Sequence, residues 1–316
     1  MPLVCTIDVE DWAQSTLDTD MPISDRAGPN MERVLDVLAE ENVKATCFVL
    51  GKFAEKFPDT VRRIAAEGHE VASHGYGHVD VFHLSPTQFR EDIRRSKGQL
   101  EALTGAAVKG YRAPDFSIVK ESLWALDILA EEGFVYDASI NPAVLARFGL
   151  PGFPPQPVRM PLRGDLTLVE LPVATMKLLG RFLPVAGGGY HRLLPYSLIR
   201  WVIERAVLAG EVFMAYCHPY EFDPDEFKHL GYSLPLKTRL HQGLGRRGFE
   251  KKFRQMLREF ETVLAIQVAE KTMTEAPVFD GLITGKGQEL ATDFADLADG
   301  KPQANSGSDP RDPRNP

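Results

Sequence analysis

In 70-EVASHGYGH-78 a short apolar run hands over to two histidines, His74 and His78, with Gly75, Tyr76 and Gly77 between them. On a helix this spacing would put both imidazoles on one face, as in many zinc sites. Two glycines in so short a span disfavour a helix, since each costs about 1 kcal/mol against alanine. Glycine visits positive φ freely. The stretch therefore reads as a strand whose carboxyl end opens into a loop where two imidazoles can converge.

The same handover recurs along the chain. LVCTID (3–8) leads into Asp8, Glu10 and Asp11; VKGY (108–111) into Arg112; FVY (134–136) into Asp137; and EVFMAYC (211–217) into His218. Between these runs lie helical patterns. PNMERVLDVLAEE (29–41) sets Val34, Leu35 and Leu38 on one face, and further helices are expected at VRRIAAEG (61–68), from Pro86 to about Leu103, and from Lys120 to Glu132. KATCFVLG (44–51) reads as another buried strand. This βαβα alternation argues for parallel strands covered by helices, as an open sheet or a barrel. In both, active sites assemble at the carboxyl edge of the strands, where these ionisable residues fall.

From about Ala143 to Leu194 the texture becomes proline- and glycine-rich with short strands (PVRMPL, LTLVELPV), an elaborated lobe within the same domain. PYSLIRWVIERAVLAG (195–210) and EVFMAYC resume the alternation, and KKFRQMLREFETVLAIQVA (251–269) reads as one amphipathic closing helix. Residues 1–284 form the expected catalytic domain, and the polar, proline-rich 285–316 a disordered tail.

With 44% hydrophobic and 25% charged residues the composition is that of a globular protein. A net charge of −8 disfavours nucleic-acid partners, whose phosphates need clustered Lys and Arg. The N-terminus lacks a basic segment before a long apolar run, and no stretch is long enough to span a bilayer, so a cytoplasmic location is expected. Cys5, Cys47 and Cys217 lie far apart and suggest buried free thiols.

Two imidazoles and one carboxylate make a common catalytic metal site with a position left open. His74 and His78 supply the imidazoles, while His69 and His83 read as surface or packing residues. In an extended DVED, Asp8 and Glu10 point one way and Asp11 the other, so one carboxylate could bind metal while a second acts as base.

Taken together, TIDVED (6–11), ATCFVLG (45–51), RRIAAEGHEVASHGYGH (62–78), GYRAPDFS (110–117) and MAYCHPYEF (214–222) resemble, in order, the motifs of the NodB-type polysaccharide deacetylases, carbohydrate esterase family 4. The later VELPVATMKLLGRFLPVAGGGYHRLLPY (169–196) and HPYEFDPD (218–225) resemble the branch associated with exopolysaccharide and exosortase gene clusters, extending the likeness to about residue 265. The resemblance implies a distorted (β/α) barrel of about seven parallel strands. It implies Asp8 as catalytic base, held by Arg112, and His218 as general acid. His74 and His78 would be metal ligands, with Glu10, or alternatively Asp11, as the carboxylate. Val9 departs from the family's usual pair of adjacent aspartates. Asp137 matches only partly and is expected to bond the second nitrogen of His218. Zinc is the first expectation, though such donors also accept cobalt, nickel or iron.

The implied reaction is removal of an N-acetyl group from a polysaccharide or a lipid-linked saccharide precursor. Gly188, Gly189 and Tyr190 suggest a loop over the substrate, Trp12 the mouth of the site, and Phe116 the acetyl pocket. The modified first motif keeps open a related amidohydrolase acting on a cyclic amide, a ureide or a formylated aminosugar. A non-catalytic carbohydrate-binding relative is the third reading. Peripheral contact with the inner face of the membrane would suit a lipid-linked precursor.

Overall fold

Strand β1 (Leu3–Val9) is buried along its whole length, as a central parallel strand should be. Its residues divide between two cores. Cys5, Ile7 and Val9 pack with Met31, Leu35 and Leu38 of helix Ala27–Glu40. Val4 faces the other way, toward Phe48, Ala72, Tyr136 and Met214. The two-residue period of a strand puts Thr6 and Asp8 above Val4 on this inner face. The first strand thus carries a column running from apolar floor to carboxylate rim.

The computed structural model describes residues 3–143, 148–178, 180–228 and 233–280. After β1 come β2 (Thr46–Val49), β3 (Glu70–Ser73), β4 (Gly110–Tyr111), β5 (Tyr136–Asp137), β6 (Val158–Pro161), β7 (Thr167–Glu170), β8 (Thr175–Leu178), β9 (Arg181–Pro184), β10 (Phe213–Cys217) and β11 (Thr262–Val263). The sheet order is β10-β1-β2-β3-β4-β5-β7-β6, with every pairing parallel except β6 against β7. The seven strands from β10 to β7 curl into a half-barrel, and β8–β9 form a separate hairpin. Parallel pairing brings all seven carboxyl ends to one edge.

Helices cover the outside. Pro86–Thr104 begins with a Ser85–Gln88 capping box and ends at Gly105, whose φ of 69° only glycine adopts at no cost. The lobe near 143–194 does not stand apart: β7 extends the main sheet beside β5, and β6 finishes its edge. The single closing helix expected at 251–269 is instead two, Arg246–Glu259 and Ala265–Glu275. The β-branched pair Thr262–Val263 between them adds a strand against Leu3 and Val4. The second helix then places Ala265, Val268 and Ala269 in the barrel floor. The tail expected at 285–316 lies outside the described residues.

Candidate active site

The loop after β3 begins with Gly75 at φ 74°, but Gly77 is not the second left-handed residue; His78 is, at φ 61°. A side-chain-bearing residue held there stores strain, a feature that clusters at functional sites. The loop is pinned: Tyr76 N–H donates to Asp92 (2.8 Å), and Gln14 Nε2 donates to the Gly77 carbonyl (2.9 Å). Both imidazoles converge on Glu10, with His78 Nε2 at 2.8 Å and His74 Nε2 at 3.3 Å from Oε2.

His74 Nδ1 lies 2.8 Å from the Arg112 carbonyl, which can only accept. Nδ1 therefore carries a proton, which leaves Nε2, turned toward a carboxylate oxygen, as the ring's ligand atom. That oxygen, Glu10 Oε2, is buried without a geometrically sound hydrogen bond. Ligand atoms of Glu10, His74 and His78 all lie within 4.8 Å of one another. Two imidazole nitrogens and a carboxylate gathered this way fit a divalent cation. Burial would neutralise His78, but the Glu10 carboxylate outweighs it and raises His78 to about 9. Burial likewise pushes the Glu10 carboxyl up, while His78, with His74 and His218, holds it well below the usual carboxylate range.

Asp11 is not part of this set. The chain leaves β1 there and enters helix Trp12–Thr16, whose N-cap is Asp11, accepting from Gln14 N–H (3.3 Å) and the Ser24 hydroxyl. Its oxygens are committed to starting a helix.

Asp8 sits on the inner column beside the cluster. Arg112 Nη1 donates to Asp8 Oδ1 (2.6 Å) and to Thr6 Oγ1 (2.8 Å), and Nε to the Ala138 carbonyl (3.2 Å). The guanidinium also lies 4.0 Å from the Phe48 ring centre. A fully buried arginine so enclosed orients Asp8 and balances its charge.

His218 caps β10, with its ring stacked on Tyr220 at 4.7 Å and Nε2 3.7 Å from Glu10 Oε1. The structure does not bring Asp137 to its second nitrogen. Glu221 is there, Oε2 3.7 Å from His218 Nδ1, and its other oxygen takes a 3.0 Å bond from Arg192 Nε. The polypeptide turns through Pro219–Phe222 directly after His218, so residue 221 folds back on the ring. Burial disfavours the charged ring, yet Glu221, then Glu10 and Asp8, raise His218 to about 9. Asp137 instead bonds Ser139 Oγ and faces Glu170 across β5–β7. Burial pushes both carboxyls up, Asp137 to about 6. Ser139 Oγ accepts from Ala113 N–H (2.7 Å), so Asp137 braces the segment that carries Arg112.

Asp8, Glu10, His74, His78 and His218 line one cavity of about 530 Å³, within the usual range of small-ligand sites. Phe116, Tyr190 and Tyr216 add aromatic walls. Trp12 is not at its mouth: it is fully buried against Phe227, ring centres 4.7 Å apart. Gly188 and Gly189 begin a short helix, Gly188–Leu193, rather than a loop over the substrate. Gly188 faces Glu221, where a Cβ would come within 1.7 Å of Oε2. Gly189 meets only Arg192 Nη2, at 3.7 Å from such a Cβ. His69 is a packing residue, accepting from Ala45 N–H at 3.1 Å, and His83 is exposed. Sequence reasoning missed Glu221, Arg192 and Tyr216. The H-x-x-E spacing after a proline turn was the available signal for the first.

A curled parallel half-barrel thus gathers on its carboxyl edge a His/His/Glu cluster that could hold a cation, an arginine-held aspartate and a carboxylate-backed histidine, an α/β site with the groups that acid–base chemistry needs. Residues 15–131 match the family model described as polysaccharide deacetylase. Residues 138–270 match a domain of unknown function, DUF3473. Asp8 and Glu10 precede the first match, and His218 and Glu221 fall in the second. Strands from both regions share one sheet.

A peptidoglycan-N-acetylglucosamine deacetylase of Bacillus cereus is 40% identical over 104 residues, 32% of this chain and 38% of that protein. A chitooligosaccharide deacetylase of Bradyrhizobium is 36% identical over 107 residues, 33% of this chain and 46% of that protein. The chain thus spans less than half the length of these curated relatives. A Mycobacterium smegmatis protein provisionally described as a polysaccharide deacetylase shares the fold at a TM-score of 0.53 and 23% identity, covering 97% of this chain and 94% of that one. The allantoinase PuuE shares it at 0.58 and 15%, covering 87% and 91%.

Proposed function

We propose that this chain is a divalent-metal-dependent hydrolase that removes N-acetyl groups from an N-acetylated polysaccharide or a lipid-linked saccharide precursor. One observation carries the reading: a cation-ready cluster, an arginine-held aspartate and a carboxylate-backed histidine meet in a single cavity. Glu10, His74 and His78 would hold the ion, zinc first, with cobalt, nickel or iron also suited to the donors. When bound, the ion supplies Lewis acidity toward the acetyl carbonyl and the attacking water.

The protein's own groups do the rest. Asp8, held and oriented by Arg112, accepts the proton of the attacking water. His218, charged through Glu221, hands a proton to the departing sugar amine, a poor leaving group without it. Phe116 and Tyr216, packed edge to face at 4.9 Å, offer an apolar wall for the acetyl methyl. Arg112 and Glu221 act through the groups they position.

Residues 1–284 are read as one catalytic domain, supported by strands from both matched regions sharing a sheet. The names of the relatives support an N-acetylated saccharide as substrate, and the DUF3473 match is consistent with exopolysaccharide assembly. Among the described residues no helix is long and apolar enough to cross a membrane. The three free buried cysteines suit the reducing cytoplasm, at whose membrane face a lipid-linked precursor would be met.

The test is acetate release from defined N-acetyl oligosaccharides, with ureides and formylated aminosugars as competing substrates. Asp8→Asn is expected to lower kcat by about 10²–10⁴-fold. Turnover of ureides alone, or an unaffected Asp8→Asn, would sink the proposal.

A further inference from the structure

Helix Leu236–Gly243 buries none of its residues. Its apolar stripe faces outward: Leu236, Leu240 and Leu244 are 71%, 57% and 60% exposed. An ordinary surface helix does the reverse, turning its apolar face to the core. The stripe is flanked by exposed Lys237 and Arg239, which the 100° advance per residue sets on either side of Leu236 and Leu240. Neither cation has an ion-pair partner among the described residues. From Leu236 to Arg247 there is no acidic residue, in a chain of net charge −8.

Two features fix this helix in relation to the site. Its opposite face supplies His241 and Gln242 to the catalytic cavity. Its carboxyl end is held by Arg192, whose Nη1 donates to the carbonyls of Gln242 (2.7 Å) and Leu244 (3.1 Å) while its Nε binds Glu221. A second apolar element borders the same cavity. The β8–β9 hairpin exposes Leu178, beside Lys177, and Leu183, and its last residue, Pro184, lines the cavity with His241 and Gln242.

We propose that the leucine stripe of helix Leu236–Gly243, with the β8–β9 hairpin, docks the mouth of the cavity onto an anionic phospholipid bilayer. Outward leucines flanked by unpaired cations, locally free of acid, match the requirements of an interfacial helix: apolar insertion plus attraction to negative headgroups. A second copy docked through the same stripe would set Lys237 and Arg239 against their own counterparts, like charge on like. The inference deepens the lipid-linked-substrate reading and rests on it only for why the cavity should open at the membrane.

Co-sedimentation of the full chain with vesicles tests it. Binding to phosphatidylglycerol/phosphatidylethanolamine vesicles is expected, falling with salt and much weaker on pure phosphatidylcholine. The double variant Leu236→Glu/Leu240→Glu should bind at least about tenfold more weakly, and Lys237→Glu/Arg239→Glu should lose the preference for anionic lipid. These exposed positions lie outside the catalytic groups, so hydrolysis of a water-soluble N-acetyl oligosaccharide should stay unchanged in both variants. Absence of vesicle binding, binding indifferent to the leucine variant, or a wild-type dimer that this variant dissociates would overturn the proposal. Failure of the deacetylase reading would appear separately, as vesicle binding without turnover of any saccharide.

Discussion

Replacing Glu221 by glutamine removes one charge while keeping the side chain's volume, where Gly188 leaves room for nothing larger. The lost partner stood 3.7 Å from His218 Nδ1. Unit charges at that distance attract by about 4 kcal/mol at an effective dielectric of 20. With the ring 18% exposed, screening leaves roughly 2 kcal/mol, or about one and a half pH units. His218, raised to about 9 in the native protein, should then titrate near ~7.5. A general acid works only while protonated, so the alkaline limb of the kcat profile should move down by that amount. At pH 8.5 the variant should be roughly eightfold slower than the native enzyme, and at pH 6 nearly equal. A cation on Glu10 lowers both midpoints alike, so the difference is the quantity to measure.

Stability follows the same linkage. The contribution of charged His218 is full below its ordinary value of 6.5 and is lost as pH rises through about 9. The melting-temperature deficit of Glu221→Gln should therefore be largest in acid and shrink above pH 9. A pH-independent fall in kcat, with the limb unmoved, would refute the role given to Glu221.

Asp11→Ala should cost about 1 kcal/mol through loss of the helix cap, measurable by urea unfolding, and leave metal content untouched; loss of metal would put Asp11 back among the ligands. Gly188→Ala should destabilise by about 1–3 kcal/mol through overpacking against Glu221 and reproduce the alkaline defect, whereas a neutral result would contradict the close approach. Trp12→Ala should cost about 3–5 kcal/mol with KM for the saccharide unchanged; a large KM increase at constant melting temperature would restore Trp12 to the mouth.

Much of the centre was legible because strand periodicity and parallel pairing are strong constraints. Alternation along β1 set Asp8 and Glu10 on one side and Asp11 on the other but left Asp11 open as the metal carboxylate, which its capping of the next helix decides. The carboxyl edge collected His74, His78, Arg112 and His218. What was not legible depended on where the chain turns. Trp12 follows the acidic run, but the Asp11 cap reverses the backbone and drives the indole into the core. Asp137 ends a strand like the others, yet β7 lies beside it and supplies Glu170 as its partner. Glu221 reaches His218 only because Pro219 opens a tight turn. The amphipathic run at 251–269 hid Thr262 and Val263, whose pairing beneath β1 depends on a strand far away in sequence. Local period cannot report a partner of that kind.

The central claim is that Glu10, His74 and His78 hold a divalent ion, and metal content of the purified, folded chain tests it most directly. Native protein and Asp8→Asn should each bind about one equivalent after zinc loading and dialysis, while Glu10→Gln and His74→Ala/His78→Ala retain essentially none. Folded native protein that takes up no metal, or a histidine double variant that keeps it, would contradict the account.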